Sequence, residues 1–460
     1  MCSRGLGPTT GLCRRLLLVA VLAATAACGD DDALPADDDD DGGTEADAGA
    51  QPDAAAPGPD AASDPDAGPD ASVAPTVVSL TMGNGIACAT LSTGAVRCWG
   101  ANEQGQVGAG AAGPDIREPT DVADLTDALS VECGTATCCA RTAAGSVQCW
   151  GWNDVGVLGA NDLALPNRPA PGPVMQLPRE GGDAIEMGGV SQLAIGAVHG
   201  CAIQGGEVLC WGWNAAGQGG IAPPPDLSPV ARLTGITGVV SLALARVIGT
   251  AHSCAITGKG GALCWGFNGA GQLGDGTQVG RASAAPVTSI IDVTAVAAGG
   301  GHTCAIAREE DDPKAAPGVF CWGDNFFGQS APGAPNPQLT PIRLAGLDGA
   351  TAIAAGQSHS CAVLDSGAMR CWGANNFGQL GSGVVGDPPA APVDVVGPTG
   401  KGALTGAVQV TAGFGNTCAL TAASEVYCWG ESVRGQLGQG DAELPPIVPT
   451  PVAVPVLPPI

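Results

Sequence analysis

The sequence is poor in aromatic and basic side chains. Its 460 residues include nine Trp, six Phe and one Tyr, and 18 Lys and Arg face 44 Asp and Glu, for a net charge of −26. A chain this acidic repels phosphate backbones, and it contains no basic cluster that would offset the repulsion. Nucleic acid is therefore excluded as a partner.

Long hydrophobic runs are also lacking, and none in the chain reaches the roughly 20 residues that span a bilayer. Glycine and proline are abundant instead, with 73 and 37 copies, and 45% of the residues are hydrophobic. This composition supports a buried core but disfavours helical bundles and coiled coils. It favours an all-β fold with short strands and many turns.

The longest apolar run lies at the N-terminus and predicts export. Three arginines, at positions 4, 14 and 15, precede the 12 apolar residues 16–27, a length typical of a secretory signal. The run ends in Thr25-Ala26-Ala27-Cys28, which resembles a bacterial lipoprotein signal. The resemblance implies that residues 1–27 are removed and that Cys28 carries lipid. Thr25 departs from the leucine usual in that family, so simple cleavage and secretion is the alternative.

Residues 28–75 form an acidic segment of Asp, Ala, Pro and Gly. Positions 29–75 hold 15 acidic residues and no basic or aromatic ones, so we expect a disordered tether. Asp37, Asp39 and Asp41 match the start of an EF-hand loop, but Ala48 stands where the bidentate glutamate is needed. No metal is expected here. Subtracting the tether and the three signal arginines leaves 29 acidic and 15 basic residues, a net charge of −14, in residues 76–460.

A tripeptide Cys-Trp-Gly recurs seven times in residues 76–460, with a mean spacing of 55 residues. Such periodicity indicates a repeat architecture. The tryptophans stand at Trp99, Trp150, Trp211, Trp265, Trp322, Trp372 and Trp429. Since the same residue recurs in every copy, we expect these side chains to be core residues that pack the repeats together.

Each repeat holds two cysteines, and their spacing predicts seven disulfides across β-hairpins. The spacing is 10 in five repeats, where a three-residue turn such as 365–367 sets the two cysteines opposite each other. It is 9 in the third repeat, where a two-residue Gly205-Gly206 turn restores the same register, and 17 in the fifth, where residues 308–317 lengthen the loop. The predicted pairs are Cys88–Cys98, Cys139–Cys149, Cys201–Cys210, Cys254–Cys264, Cys304–Cys321, Cys361–Cys371 and Cys418–Cys428.

Two alternatives to this pairing stay open. Cysteine at these positions can also serve as a small apolar core residue. Cys133 and Cys138 remain as a candidate eighth bridge, with their partners uncertain because Cys138 adjoins Cys139.

The order of motifs within a repeat resembles the regulator of chromosome condensation repeat family. Gly301-His302-Thr-Cys304-Ala305, the Trp-Gly-x-Asn turn and Gly378-Gln379-Leu380-Gly381 carry the resemblance, which covers residues 76–460. It implies a seven-bladed β-propeller with four-stranded blades. The paired cysteines and the altered turns Gly328-Gln329-Ser330 and Gly217-Gln218-Gly219 depart from the family pattern.

Closure of the ring is expected at the C-terminus. The first repeat lacks a preceding Pro-Val strand, and the chain ends on one at residues 450–454 without a hairpin after it. We therefore expect residues near Val452 to pair into blade one.

The four histidines are expected to be structural. They all stand two residues before the first cysteine of repeats three to six. Because equivalent residues of successive blades are rotated about the propeller axis, their side chains do not converge on one metal ion. We expect a repeated hydrogen bond. Trp152 and Trp213 instead occur in two repeats only, so they are candidate partner contacts, with local packing as the alternative.

No nucleophile elbow, phosphate loop or zinc-protease motif is present, so no catalytic residue, cofactor or enzymatic activity is expected. We expect a monomeric, lipid-anchored scaffold of the bacterial cell envelope, or a secreted one, that binds an extracytoplasmic protein through variable loops, the largest being 161–184, 308–317 and 384–402. An inhibitor of an extracellular enzyme is the alternative, because related bacterial propellers include β-lactamase inhibitors. A propeller enzyme ranks third.

Overall fold

Short antiparallel strands joined by tight turns make up the described part of the chain, which contains no helix. The computed structural model describes residues 74–160, 165–178, 181–222, 227–440 and 444–457. The predicted signal peptide, Cys28 and all but the end of the tether lie outside these residues. The all-β prediction is confirmed.

The strands form seven four-stranded antiparallel sheets, or blades, each built from a contiguous stretch of chain. Blade one consists of β1 (Val77–Met82), β2 (Ile86–Leu91), β3 (Val96–Gly100) and β4 (Ile116–Asp121). Blade two consists of β5 (Ala128–Cys133), β6 (Thr137–Thr142), β7 (Val147–Gly151) and β8 (Arg168–Pro173). A short ribbon, β9 (Met175–Gln176) and β10 (Ile185–Glu186), leads to blade three. Blade three consists of β11 (Val190–Ile195), β12 (His199–Gln204), β13 (Glu207–Trp213) and β14 (Leu227–Arg232).

The remaining four blades repeat this plan. Blade four consists of β15 (Val239–Leu244), β16 (His252–Thr257), β17 (Ala262–Gly266) and β18 (Arg281–Pro286). Blade five consists of β19 (Ile290–Ala298), β20 (His302–Glu309), β21 (Gly318–Gly323) and β22 (Gln338–Arg343). Blade six consists of β23 (Ala350–Ala355), β24 (His359–Leu364), β25 (Met369–Gly373) and β26 (Val393–Asp394). Blade seven consists of β27 (Ala407–Ala412), β28 (Asn416–Thr421), β29 (Val426–Glu431) and β30 (Ile447–Val454).

The first strand of each blade lies innermost, and these strands form a closed circle. Contacts run from β1 to β5, from β5 to β11 and onward to β27, which returns to β1. A ring removes the free sheet edges that would otherwise invite aggregation. The structure is therefore the predicted seven-bladed propeller with four-stranded blades.

The predicted closure of the ring is wrong in its strand pairing. β30 is the outer strand of blade seven, where Val452 lies opposite Cys428, and it does not pair with blade one. The fourth strand of every blade pairs with the third strand of the same repeat, because the segment after Trp-Gly reverses the chain and returns it antiparallel to that strand. The Pro-Val segment therefore ends a blade instead of starting the next one.

Side-chain contacts close the ring between blades seven and one. The Gln409 amide accepts a hydrogen bond from the Leu80 N–H and donates one to the Leu80 carbonyl, both at 3.0 Å. The Trp99 indole donates to the carbonyl of Gln436 at 3.1 Å. Val454 and Val456 from the C-terminal segment share a buried cluster with Trp99. Blade one thus meets the C-terminal residues by packing.

The cysteine hairpins have the predicted register. In all seven repeats the two cysteines lie directly opposite each other on the second and third strands. Their Cα atoms are 4.0 or 4.1 Å apart and the sulfur atoms are bonded. Cys133 and Cys138 form an eighth disulfide between β5 and β6. The structure therefore resolves the open partner assignment of Cys138 and Cys139.

The seven repeat tryptophans are fully buried, as predicted. Each packs against the preceding blade, and in blade five the Trp322 indole donates to the carbonyl of Gln272 at 2.8 Å. Gly274 makes this approach possible, since a Cβ there would lie 2.7 Å from the Trp322 Nε1 and its φ of +69° is left-handed. The Gly-Gln-Leu-Gly motif is thus a docking point between blades.

Candidate functional site

Two faces of the propeller follow from the alternation of strand direction. The turns between first and second strands and between third and fourth strands lie at one end of each blade, which we name the loop face. The cysteine hairpin turns and the connections between blades lie at the other end, which we name the hairpin face. Any site that combines residues of several blades must form on one of these faces or along the axis between them.

Aromatic side chains outside the repeat tryptophans gather on the loop face. The turns of this face carry Trp152, Phe267, Phe326, Phe327, Phe377 and Phe414, and Trp213 is the last residue of strand β13, where that strand reaches the same face. The two remaining aromatic residues, Phe320 and Tyr427, lie within strands β21 and β29. Phe326 is 74% exposed and Phe414 is 39% exposed. In a chain with so few aromatics, this segregation marks the loop face as the candidate interaction surface.

Trp152 and Trp213 are both half-buried. With Val155, they pack against the buried side chains of Val198 and Ala251 near the ends of blades three and four. Local packing, the alternative considered for them, therefore accounts for one side of each ring. The sequence alone did not single out the phenylalanines, although Phe267 occupies the same repeat position as Trp152 and Trp213.

A well opens at the centre of the loop face. Its volume is about 210 Å³, and it is lined by the first turns of six blades, including Gly83, Gly299, Gly356 and Phe414. Ile248, which is exposed, stands at its wall. A second groove, between blades five, six and seven, shares Phe414 and Gln357 with the well and continues to Phe327 and Phe377. The apolar surface is thus continuous from the axis towards the rim.

Blade four breaks the sevenfold repeat at the edge of the well. In blade three the turn is closed by a hydrogen bond from Gly196 N–H to the His199 carbonyl. The equivalent bond in blade four joins Ala245 to His252, so this turn is four residues longer. The inserted residues include Arg246 and Ile248, both of which line the well.

The Arg246 side chain reaches from blade four to the opposite side of the channel. Its guanidinium donates to Glu132 of blade two at 3.0 Å and to the carbonyl of Met82 in blade one at 2.5 Å. Burial raises the pKa of the Glu132 carboxyl, while Arg246 and the Thr81 hydroxyl act in the opposite direction. Arg246 lines both the well and a channel cavity of about 180 Å³, and Glu132 lines the channel cavity, so the ion pair lies where the two meet.

Comparisons with known proteins identify the repeats. Two models described as regulator of chromosome condensation (RCC1) repeat match the chain, one at residues 77–106, 293–329, 350–379 and 407–436, the other at residues 93–141, 259–306, 318–363 and 366–420. The ultraviolet-B receptor UVR8 of Arabidopsis thaliana is 31% identical over 377 residues, which cover 80% of this chain and 79% of the receptor. The chain belongs to the RCC1 repeat family.

Other relatives share the repeats within larger or more distant proteins. The human E3 ubiquitin-protein ligase HERC2 is 28% identical over 76% of this chain, which spans only 7% of the ligase. The crystal structure of human WBSCR16 matches with a TM-score of 0.64 at 23% identity, over 77% of this chain and 93% of that one. Yeast RCC1 (Prp20), solved bound to Kap60, matches with a TM-score of 0.62 at 20% identity, over 82% and 85% of the two chains. These solved structures support the fold.

The histidines of this RCC1-repeat propeller form the predicted structural hydrogen bonds. His199, His252, His302 and His359 each contact a serine or threonine of the next blade through Nε2, at 2.8 or 2.9 Å. That hydroxyl donates its only proton to the main-chain carbonyl of a glutamine, as Thr303 does to Gln272 at 2.9 Å. In His199, His302 and His359 the Nε2 must therefore carry the proton and donate it, whereas the Nδ1 of His252 also lies 3.2 Å from the Thr250 carbonyl. Each imidazole links one blade to the next.

Metal-ligating side chains converge at one place among the described residues, where the sulfur atoms of Cys88, Cys133 and Cys138 lie together. These sulfurs already belong to the Cys88–Cys98 and Cys133–Cys138 disulfides. Within the described ranges, no helix has the length and apolarity needed to cross a bilayer.

Proposed function

We propose that this propeller is a non-enzymatic scaffold that binds a protein partner through its loop face. The observation that carries the proposal is the gathering of seven non-repeat aromatic residues on one face around an axial well. Exposed aromatic side chains next to a concave apolar surface are typical of the anchoring points of protein interfaces. Membership in the RCC1 repeat family supports a binding role, because the solved relatives include yeast RCC1 in complex with Kap60.

The partner we expect presents an apolar side chain flanked by basic residues. The walls of the well are largely apolar, and Arg246, the charged residue that lines it, is already paired with Glu132, so an apolar group can enter without leaving a charge unpaired. Acidic residues predominate in the turns of the loop face, as at Asp154, Asp324 and Asp387. Arg434 of the same face already contacts Glu103 and Asp115. Basic flanks would complement this surface.

We further propose that the protein acts outside the cytoplasm, tethered through Cys28 to a membrane of the bacterial cell envelope. Eight disulfides in the described residues suit an oxidising compartment. The 12-residue apolar run before Cys28 supports export, and the acidic segment that follows would hold the propeller away from the bilayer.

Capture of a partner from envelope extracts by the immobilised propeller tests the proposal when paired with substitutions on each face. Phe326→Ser with Phe414→Ser removes exposed rings from the loop face. The matched control, Leu177→Ser with Ile185→Ser, removes side chains that are 54% and 50% exposed from the connection between blades two and three on the hairpin face. We expect the first variant to lose a defined captured protein and the control to retain it.

Retention by the first variant together with loss by the control would contradict the assignment of the face. When the captured protein is an enzyme, its activity is measured with and without the propeller. Stoichiometric loss of activity would identify an inhibitor instead of a scaffold.

A further inference from the structure

The interface between blades one and two contains two disulfides in direct contact. The Cys133 Sγ lies 3.4 Å from the Cys88 Sγ, and the Cys138 Sγ lies 3.9 Å from it. Cys88 is bonded to Cys98 and Cys133 to Cys138, and all four side chains are fully buried. Four sulfur atoms from two neighbouring blades thus form one cluster.

The repeat architecture explains why a cysteine at position 138 meets the disulfide of the preceding blade. Cys138 occupies the position that holds Ser253, Thr303, Ser360 and Thr417 in blades four to seven. The Ser360 Oγ lies 3.6 Å from the Cys304 Sγ, which is the equivalent contact between blades five and six. In the seven repeats, this position is a cysteine only in blade two.

The same interface lacks the hydrogen bond that joins the later blades. Ile86 stands in blade one where blades three to six have a histidine, so no imidazole links blade one to blade two. Contact between the two disulfides replaces that link.

We propose that this cluster is a thiol–disulfide exchange site that can convert two intrablade disulfides into a covalent bond between blades. A dithiol, such as a thiol–disulfide oxidoreductase or dithiothreitol, first opens Cys88–Cys98 and supplies the two electrons. The Cys88 thiolate then attacks the Cys133 sulfur, a Cys88–Cys133 bond forms, the Cys133–Cys138 bond breaks, and Cys138 leaves as a thiolate that takes up a proton. The exchange step itself involves no net oxidation or reduction.

The geometry allows this step after a small movement. Cys88 faces the side of the Cys133–Cys138 bond, because it lies close to both sulfurs. Attack along the bond axis therefore needs rotation of Cys88 about its Cα–Cβ bond, which loss of the bond to Cys98 permits. Cys133 is the nearer sulfur, so we expect it to be the one attacked.

Cys98→Ser tests the proposal, since it leaves Cys88 as a thiol without any reductant. The folded variant is incubated at pH 8, denatured in acid to stop exchange, alkylated and mapped by mass spectrometry without reduction. We expect Cys88 to be linked to Cys133 and most of the alkylated thiol to be Cys138. Cys371→Ser is the matched control: Thr417 occupies the position of Cys138 in the next blade and has no sulfur, so Cys361 should remain the alkylated residue.

An intact Cys133–Cys138 bond with alkylated Cys88 would overturn the proposal. A link from Cys88 to Cys138 would support exchange and reverse only its regiochemistry. If Cys98→Ser does not fold, brief treatment of the unmodified protein with dithiothreitol, quenched in acid at intervals, gives the same readout. Its time course should then show a Cys88–Cys133 peptide before all eight disulfides open, and the absence of that peptide would count against the site.

Discussion

The histidines show how one residue can join blades without a binding role. Complete burial lowers their pKa values, to about 3 for His199 and His302 and to about 4 for His252 and His359. The neutral imidazole that these hydrogen bonds require is therefore the stable form in the folded protein. The same repeat position holds Ile86, Thr137 and Asn416 in the other blades, so it does not require an ionisable side chain.

A pH dependence of stability follows at the residue scale. Histidine in the unfolded chain binds a proton below about pH 6.5, whereas the buried residues do so only near pH 3 to 4. The contribution of the histidines to the free energy of unfolding is therefore fully present above pH 6.5. It is lost as the pH falls towards 4, by up to about 1.4 kcal/mol per pH unit for each histidine. We expect His302→Gln to flatten this dependence in denaturant unfolding measured at pH 7.5 and pH 5. Equal slopes for the variant and the unmodified protein would refute the assignment.

The Arg246–Glu132 pair gives a second prediction at this scale. Arg246→Met leaves the half-buried carboxylate of Glu132 without its cation, and we expect a loss of about 1–2 kcal/mol in the free energy of unfolding at pH 7. Adding Glu132→Gln should restore most of it. Arg434→Met, which removes an exposed ion pair with Glu103, is the control and should cost less than about 0.5 kcal/mol. An Arg246→Met variant as stable as the control would contradict a stabilising role for this ion pair.

The cysteine hairpin is the element that the sequence determined most completely. Two loop lengths, in the third repeat and in the five regular ones, both set the cysteines opposite each other, and the pairing in the structure agrees. The fourth strand was harder to assign, because a Pro-Val segment can pair with the strand before it or with the next blade. Its partner depends on the length and path of the turn after Trp-Gly, which local sequence does not specify.

Removing one hairpin disulfide should destabilise the propeller by a moderate amount. Cys361→Ala with Cys371→Ala opens a loop with a separation of 10 residues, for which chain entropy predicts a loss of about 3 kcal/mol. The pair Cys304 and Cys321, 17 residues apart, should cost nearly the same, since the effect grows only with the logarithm of loop length. Denaturant unfolding of both double variants is the measurement. A much larger loss in the free energy of unfolding for one pair would contradict the loop-entropy account and show that its disulfide also stabilises contacts outside its hairpin.

The whole molecule depends on the contact between blades seven and one. Deleting residues 445–460 removes β30 and with it Val448, Val454 and Val456 from the buried cluster around Trp99. We expect a clearly lower melting temperature and loss of solubility, whereas deleting residues 458–460 should have little effect. A shortened chain that melts like the full one would contradict closure by side-chain packing.

The candidate site could be predicted from sequence only in part. Trp152 and Trp213 could be recognised from the sequence as aromatic residues outside the repeat pattern, whereas the longer turn at Arg246 was not predicted. That Phe326, Phe377 and Phe414 share one face with them follows only when the blades are arranged in a ring. The axial well likewise depends on turns that are up to 330 residues apart in sequence, between Gly83 and Gly413.

The central claim, that the loop face binds a protein partner, is tested most directly by photo-crosslinking on intact cells. A photoreactive amino acid is placed singly at Phe326 or Phe414 on the loop face and at Lys314 or Ser366 on the hairpin face, all of which are exposed. The account predicts one defined protein adduct from both loop-face positions and none from the hairpin face. Adducts confined to Lys314 and Ser366 would contradict it.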